Sequence, residues 1–251
     1  MIEITSFDDQ RIKEFTKLRD HTLNDLGLFL AESEKLFLQL KSNNKKFLKI
    51  LSTHDFAIRH CLNGDNVFIT SKDVLEKIAG FKINFEVIFL AEKPIDSKLD
   101  KLDDKIILLN GLSSPENVGS IVRSAAAFNI NSIITDERTC SPFLRRCIRV
   151  SMGNIFSMKT YHSKSIRTDI LTLKSLGYQI LSTANIPISK NLTDFSFPKK
   201  CVLIIGSEGH GIDIDILDSS DYILKIKINA QVAHLNASNA AAIFLSHMAP
   251  T

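Results

Sequence analysis

The rhythm of apolar positions changes near residue 100. In the stretch 10–50 the spacing is helical: "FLAESEKLFLQLK" sets Phe29, Leu30, Leu36, Phe37 and Leu40 on a rough 3.6-residue period. Short β-like runs follow, "KILST", "NVFIT" and "FEVIFLA". Among them "SKDVLEKIAG" reads as a helix with a serine cap and a glycine stop. These make a small α/β domain over residues 1–92, and the charged, proline-containing stretch 93–104 reads as a linker. A second domain spans 105–251, where the alternation is cleaner. Strands are expected at 105–110, 132–135, 179–184, 201–206 and 222–228, with helices at 115–128, about 165–176 and 236–248. Apolar strands alternating with helices predict a parallel sheet covered on both faces. Ligands of such sheets bind beyond the carboxyl ends of the strands, which directs attention to the loops after Asn110, Ala184, Gly206 and Ile228.

Composition narrows the class. Of the 251 residues 44% are apolar, enough for a substantial core. No apolar run reaches the roughly 18 residues that span a membrane. The acidic, polar start "MIEITSFDDQ" does not read as a secretory signal. Cys61, Cys140, Cys147 and Cys201 are scattered, with no zinc-like spacing, so a cytoplasmic protein with reduced thiols and no metal site is expected. A net charge of +3 permits nucleic acid without requiring it. The basic runs "KSNNKKFLK" and "FLRRCIR" each fit either a solvated face or an RNA-facing patch.

Three loops carry candidate chemistry. In "LLNGLSSPENVGSIVRSAAAF" a strand ends at Asn110 and Pro115 suits the first helical position. Ser114 can cap that helix, and Ser113 with Glu116 also has capping-box spacing. Ile121, Ala125 and Phe128 share one face, while Arg123 lies with Ser120 and Ala127 on another. In "VLIIGSEGHGID" the glycines form GxxGxG, which is neither a Rossmann nor a P-loop pattern. They either make turns or let backbone approach a ligand, and Glu208 adds a carboxylate. In "IKINAQVAHLNASNAAAIFLSHM" Asn236 or Ser238 can cap a terminal helix, and His234 is either a base or polar surface.

Taken in order, "NVGSIVRSAAAF", "IIGSEGHG" and "IKINAQVAHLNAS" resemble the three motifs of the SpoU/TrmH family of RNA ribose methyltransferases, in the SPOUT superfamily, over about residues 105–248. "LRRCIRVSMGNIF" resembles the family's stretch between its first and second motifs. "FLAESEKLFLQL" resembles the substrate-binding domain often fused ahead of it, related to small RNA-binding ribosomal proteins. The resemblance implies an α/β fold whose parallel sheet ends in a C-terminal trefoil knot, a feature that general rules of chain topology would not suggest. It implies a homodimer through the knotted surface, with an active site drawing on both subunits. It also implies S-adenosyl-L-methionine as cofactor, held in a bent form near Gly206, Ile226 and Leu235, with Thr183 beside them.

The catalytic residues implied are Asn117, Arg123, Glu208 and Asn236, acting in the attack of a ribose 2′-hydroxyl on the sulfonium methyl without a metal. A guanidinium is a reluctant base, so Arg123 reads better as a clamp on the adjacent phosphate that lowers the hydroxyl's pKa. Glu208 would then orient Arg123 or Asn117. Three departures from the family's pattern stand out: Ile226-Lys227-Ile228 replaces Ile-Pro-Met, Ala230 replaces a frequent glycine, and His234 replaces a serine near the reacting ribose. His234 is therefore either a substitute proton acceptor or the mark of a weakened enzyme. The fused N-terminal domain points to ribosomal RNA ahead of transfer RNA. Two other classes remain: a non-catalytic RNA-binding protein that kept the fold, and a small-molecule nucleotide enzyme. The latter would need a phosphate loop or a ribose-binding carboxylate, and neither is visible.

Overall fold

The computed structural model describes residues 1–43, 45–229 and 231–249, so Ala230, one of the three departures, lies outside the described residues. The chain forms two compact units, Met1–Pro94 with Phe143–Gly153, and Ile95–Pro142 with the chain from Asn154 onward.

The first unit runs β1 (Ile2–Glu3), α1 (Lys13–Thr16), α2 (Asp20–Asp25), β2 (Leu28–Glu32), α3 (Glu34–Ser42), β3 (Phe47–Ser52), α4 (His54–Arg59), β4 (Val67–Ile69), α5 (Lys72–Ala79) and β5 (Val87–Glu92). Its sheet has the order β1-β4-β3-β5-β2, with β5 antiparallel to both neighbours. The helix at "SKDVLEKIAG" is present: Ser71 Oγ accepts from Val74 N at 3.4 Å, and Gly80 closes α5 at φ 78°.

The helical reading of "FLAESEKLFLQLK" is corrected at its start. Phe29 and Leu30 lie on β2, and α3 begins only at Glu34. Covering on both faces is the reason. In β5, Ile88 and Leu90 join a core with Leu23, Leu30, Leu51 and Leu75. Phe89, pointing the other way, meets Phe47 at 5.1 Å and Phe37 at 6.1 Å between ring centroids. A strand buried on both faces shows an unbroken apolar run, which merged with the helix that follows.

The second unit contains β6 (Lys105–Asn110), α6 (Pro115–Ala127) and β7 (Ser132–Thr135). The chain then supplies α7 (Arg145–Val150) to the first unit and returns for β8 (Lys159–His162), α8 (Ile166–Ser175), β9 (Gln179–Thr183), β10 (Lys190–Asn191), β11 (Cys201–Gly206), α9 (Ile214–Asp218), β12 (Tyr222–Lys225) and α10 (Ala237–Met248). The seven strands form one parallel sheet in the order β10-β12-β9-β11-β6-β7-β8. The expected strands are all present, although β12 stops at Lys225 rather than at 228. The two additions, β8 ("KTYH") and β10 ("KN"), are the sheet's edges, where polar side chains leave no apolar run to read. Ile106, Leu108, Ile134, Ile180, Val202 and Ile204 pack on one face against Ile170 and Leu173 of α8 and Ile216 of α9.

Residues 95–104 of the charged stretch are held against this sheet. Ser97 N donates to Thr160 O at 2.7 Å, Thr160 Oγ1 to Asp96 Oδ1 at 2.6 Å, and Ser132 Oγ to Asp103 Oδ2 at 2.7 Å. In the first unit, two arginines of "FLRRCIR" converge on one carboxylate that is only 2% exposed. Arg145 Nε lies 2.5 Å and Arg149 Nη1 2.8 Å from the oxygens of Glu32. Among the described residues no helix is long and apolar enough to cross a membrane.

Candidate active site

Strand register puts Asn110 opposite Gly206 at the carboxyl ends of β6 and β11, so the two loops leave the sheet side by side. Capping then fixes the helices that follow. Ser114, not Ser113, caps α6, its Oγ accepting from Asn117 N at 3.3 Å. Asn236, not Ser238, caps α10, its Oδ1 accepting from Ser238 N at 3.0 Å and Asn239 N at 3.3 Å.

These constraints bring three of the expected residues into one hydrogen-bonded triangle. Asn117 Nδ2 donates to Glu208 Oε1 at 3.1 Å, Asn236 Nδ2 to the same oxygen at 2.6 Å, and Asn236 Nδ2 also to Asn117 Oδ1 at 2.9 Å. Ala237 N, in the first turn of α10, donates to Glu208 Oε1 at 2.9 Å. That amide bond and the Asn117 amide hold the Glu208 carboxyl below its ordinary pKa, desolvation opposes them, and the nearby His234 adds a smaller lowering. Glu208 Oε2 makes no hydrogen bond among the described residues, so one oxygen is fully used and the other is open.

The glycine loop is shaped by its own closure. Ser207 and Gly211 form a bridge, with Gly211 N donating to Ser207 O at 2.9 Å. A Cβ on Gly206 would stand 2.4 Å from the Gly211 carbonyl carbon. Side-chain absence at Gly206 is thus required by the loop itself, whatever else approaches.

A cavity of about 230 Å³ opens beyond the ends of β9, β11 and β12, where the loop rule directs attention. Thr183, Gly206, Ile226 and Leu235 all line it, as do Glu208 and His234. Ile205, Leu224, Ile228 and Phe244 give it apolar walls. Apolar walls, backbone edges and one carboxylate fit a heteroaromatic ligand with a positive centre. Thr183 Oγ1 is committed to Ile204 O at 2.9 Å, so its hydroxyl proton is used inside the sheet.

Arg123 is not brought to the triangle within this chain. It lies six residues beyond Asn117 on α6, about 120° round the helix and about 9 Å along it. Its side chain is exposed and makes no hydrogen bond or ion pair among the described residues.

A supporting network was missed by sequence reasoning. Asn110, only 1% exposed, donates through Nδ2 to Asp136 Oδ2 at 2.9 Å and Asp213 Oδ2 at 3.2 Å, and accepts from Asp213 N at 3.2 Å. Asp136 Oδ1 also accepts from Gly111 N at 3.0 Å and Thr139 N at 2.8 Å, and Arg138 pairs with Asp213. One buried amide thereby ties the loops after β6 and β7 to the end of the loop that carries Glu208. The available signal was a polar residue immediately after each apolar run, in "LLN" and "IITD".

Comparison with known proteins extends the match beyond geometry. The model of the SpoU rRNA methylase family matches residues 104–246. The Bacillus subtilis 23S rRNA (guanosine(2553)-2′-O)-methyltransferase RlmP is 25% identical over 255 aligned residues, covering 99% of each chain. An uncharacterized tRNA/rRNA methyltransferase of Mycobacterium tuberculosis is 26% identical over 186 residues, 72% of this chain, and the match spans 65% of that protein's length. The AdoMet-bound rRNA methyltransferase from Sinorhizobium meliloti superposes with a TM-score of 0.85 at 21% identity, over 98% of this chain and 96% of that one.

Proposed function

The chain belongs to the SpoU rRNA methylase family, and from that membership we propose that it methylates a ribose 2′-hydroxyl of RNA using S-adenosyl-L-methionine. The observation that carries the reading is the Asn117–Glu208–Asn236 triangle at the wall of a cavity lined by Thr183, Gly206, Ile226 and Leu235. Ribosomal RNA is the proposed substrate class. RlmP, which matches end to end, is named for 23S rRNA, and holding that RNA is the role we assign to the first unit. Four scattered cysteines without zinc-like spacing suit a cytoplasmic protein.

When bound, S-adenosyl-L-methionine supplies the electrophilic methyl group. The chain's own groups hold and orient. Gly206, Ile226 and Leu235 present backbone and apolar edges to an adenosyl moiety. Asn117 and Asn236 pin Glu208 through Oε1 and leave Oε2 to accept a hydrogen bond from the ribose hydroxyl. Arg123 acts as a phosphate clamp that lowers the hydroxyl's pKa, and His234 at the cavity mouth is the candidate proton acceptor. In this reading Arg123 reaches the site across a homodimer formed through the surface of α6 and α10, which pack on each other within the chain, and the C-terminal trefoil knot belongs to the same proposal.

Transfer of labelled methyl from S-adenosyl-L-methionine to unmodified ribosomal and transfer RNA tests the proposal. Wild type is expected to label ribosomal RNA and Arg123→Ala to lose most of that activity. Cofactor binding with no transfer to either RNA would sink the enzyme and favour a non-catalytic RNA-binding protein. His234→Ser separates the two readings of that residue: higher activity marks a weakened site, lower activity a working base.

A further inference from the structure

The first unit holds a cavity that the catalytic chemistry leaves unused. It measures about 370 Å³ and is lined by Ser33, Lys35, Phe81, Asn84, Phe85 and Met152, with Arg149 across it. We propose that this cavity is a stacking site for an unpaired nucleobase of the RNA substrate, built on Phe81 and Arg149. The proposal rests on the reading of RNA as substrate and adds where, outside the catalytic centre, the RNA is held.

The platform is preassembled. Phe81 is 46% exposed and Met152 39%, two large apolar side chains left in water at one cavity. The Arg149 guanidinium lies over the Phe81 ring, 5.0 Å from its centroid. It cannot swing away freely, because Nη1 donates to Glu32 Oε1 at 2.8 Å and Glu32 is itself held by Arg145. A fixed guanidinium backing an exposed ring is the surface on which a flat heterocycle stacks.

The charges around the cavity suit a nucleotide. Its three carboxylates already have partners: Glu32 with Arg145 and Arg149, Glu34 with Arg59 at 3.7 Å and with a hydrogen bond to His60 Nε2 at 2.5 Å, and Glu86 with Arg59 at 2.6 Å. Lys35 and Asn84 make no hydrogen bond or ion pair among the described residues, which leaves an ammonium for a phosphate and an amide for a base edge. Two backbone distortions meet here as well. Ser33 at φ 94° and Met152 at φ 54° occupy the left-handed side of backbone space without being glycines. An aliphatic peptide side chain would use the apolar wall but neither free polar head.

Two readouts on the full chain test the site. The first is the KM for an in vitro transcript of 23S rRNA in the methyl-transfer assay. The second is quenching of 2-aminopurine in a single-stranded oligoribonucleotide, which needs no catalysis. Phe81→Ala is expected to raise the KM about tenfold or more while kcat at saturating RNA changes far less, and to lose most of the quenching, with Phe81→Trp restoring both. Asn84→Ala serves as a second variant that leaves the ring in place, and is expected to raise the KM severalfold. Unchanged KM and undiminished quenching in Phe81→Ala would overturn the site while leaving the enzyme reading intact. Quenching without any methyl transfer would sink the enzyme reading and leave the site standing. Competition of the quenching by an aliphatic peptide, but not by unlabelled RNA, would assign the cavity to a protein partner and overturn the proposal.

Discussion

At the scale of single residues, Glu208 and Gly206 make the sharpest statements. Glu208 Oε1 collects three N–H donors, of which the Ala237 amide and then the Asn117 side chain hold the carboxyl below its ordinary 4.5. A carboxyl whose folded pKa is depressed contributes stability above its unfolded pKa and loses it as pH falls through the folded value. The Ala237 amide resonance should therefore stay fixed from neutral pH down past 4.5 and shift only below it. A shift that is complete above that pH would contradict the network. Gly206→Ala tests a different cause. The added Cβ would lie 2.4 Å from Gly211 backbone, so the loop must open. The expected cost is about 1–3 kcal/mol in urea unfolding, together with at least tenfold weaker cofactor binding by calorimetry. Unaltered binding would mean that the loop shape does not govern the cavity. Residue identities at this site were legible through the family resemblance: Glu208 lies on a loop and Asn236 at a cap that the strand–helix pattern also marked, whereas Asn117, in the first turn of α6, was named by the resemblance alone. What the sequence could not show is that Asn110 joins Asp136 to Asp213, since a hydrogen bond across about 100 residues leaves no local periodicity. Nor did it show that the bare Cα of Gly206 serves the loop's own closure.

Among the elements, α7 departs most from a linear reading. Its sequence lies between strands of the second sheet, yet it packs in the first unit beside β2. The basic run that invited an RNA-facing interpretation spends Arg145 and Arg149 on Glu32 instead. Removing that carboxylate would leave two guanidinium groups, 15% and 35% exposed, without their partner. Breaking a buried pair in this way costs about 3–5 kcal/mol, more than the pair contributes over an apolar replacement. Glu32→Ala should lower the urea midpoint of the first unit and raise amide exchange across 143–153, with little change in exchange in β6 and β11. Equal loss of protection in both sheets would show that α7 is not a local clasp. The elements themselves were legible wherever an apolar run was bounded by caps or glycine, as in α5, α6, β6 and β11. They were not where a strand is covered on both faces, as β2 is, or is polar at an edge, as β8 and β10 are.

On the scale of the molecule, the unresolved feature of the site within one chain is Arg123. It stands on the same helix as Asn117 but points about 120° away. If the proposed homodimer brings the arginine of one subunit to the triangle of the other, the two residues must act in trans, and mixing dead variants should recover activity. Asn117→Ala and Arg123→Ala are each expected to be nearly inactive alone. Co-refolded in equal amounts, about half of the dimers are mixed. Each mixed dimer contains one site with both defects and one with neither, so about a quarter of the wild-type rate should return. Refolding is needed because a knotted or tightly packed interface exchanges subunits slowly. Sedimentation of the mixture should show dimers throughout. Recovery near a quarter would establish that the catalytic constellation is completed between subunits. No recovery from a dimeric mixture would place Arg123 and Asn117 in the same subunit's site, and the arginine would then have to reach the triangle by a movement of α6 itself.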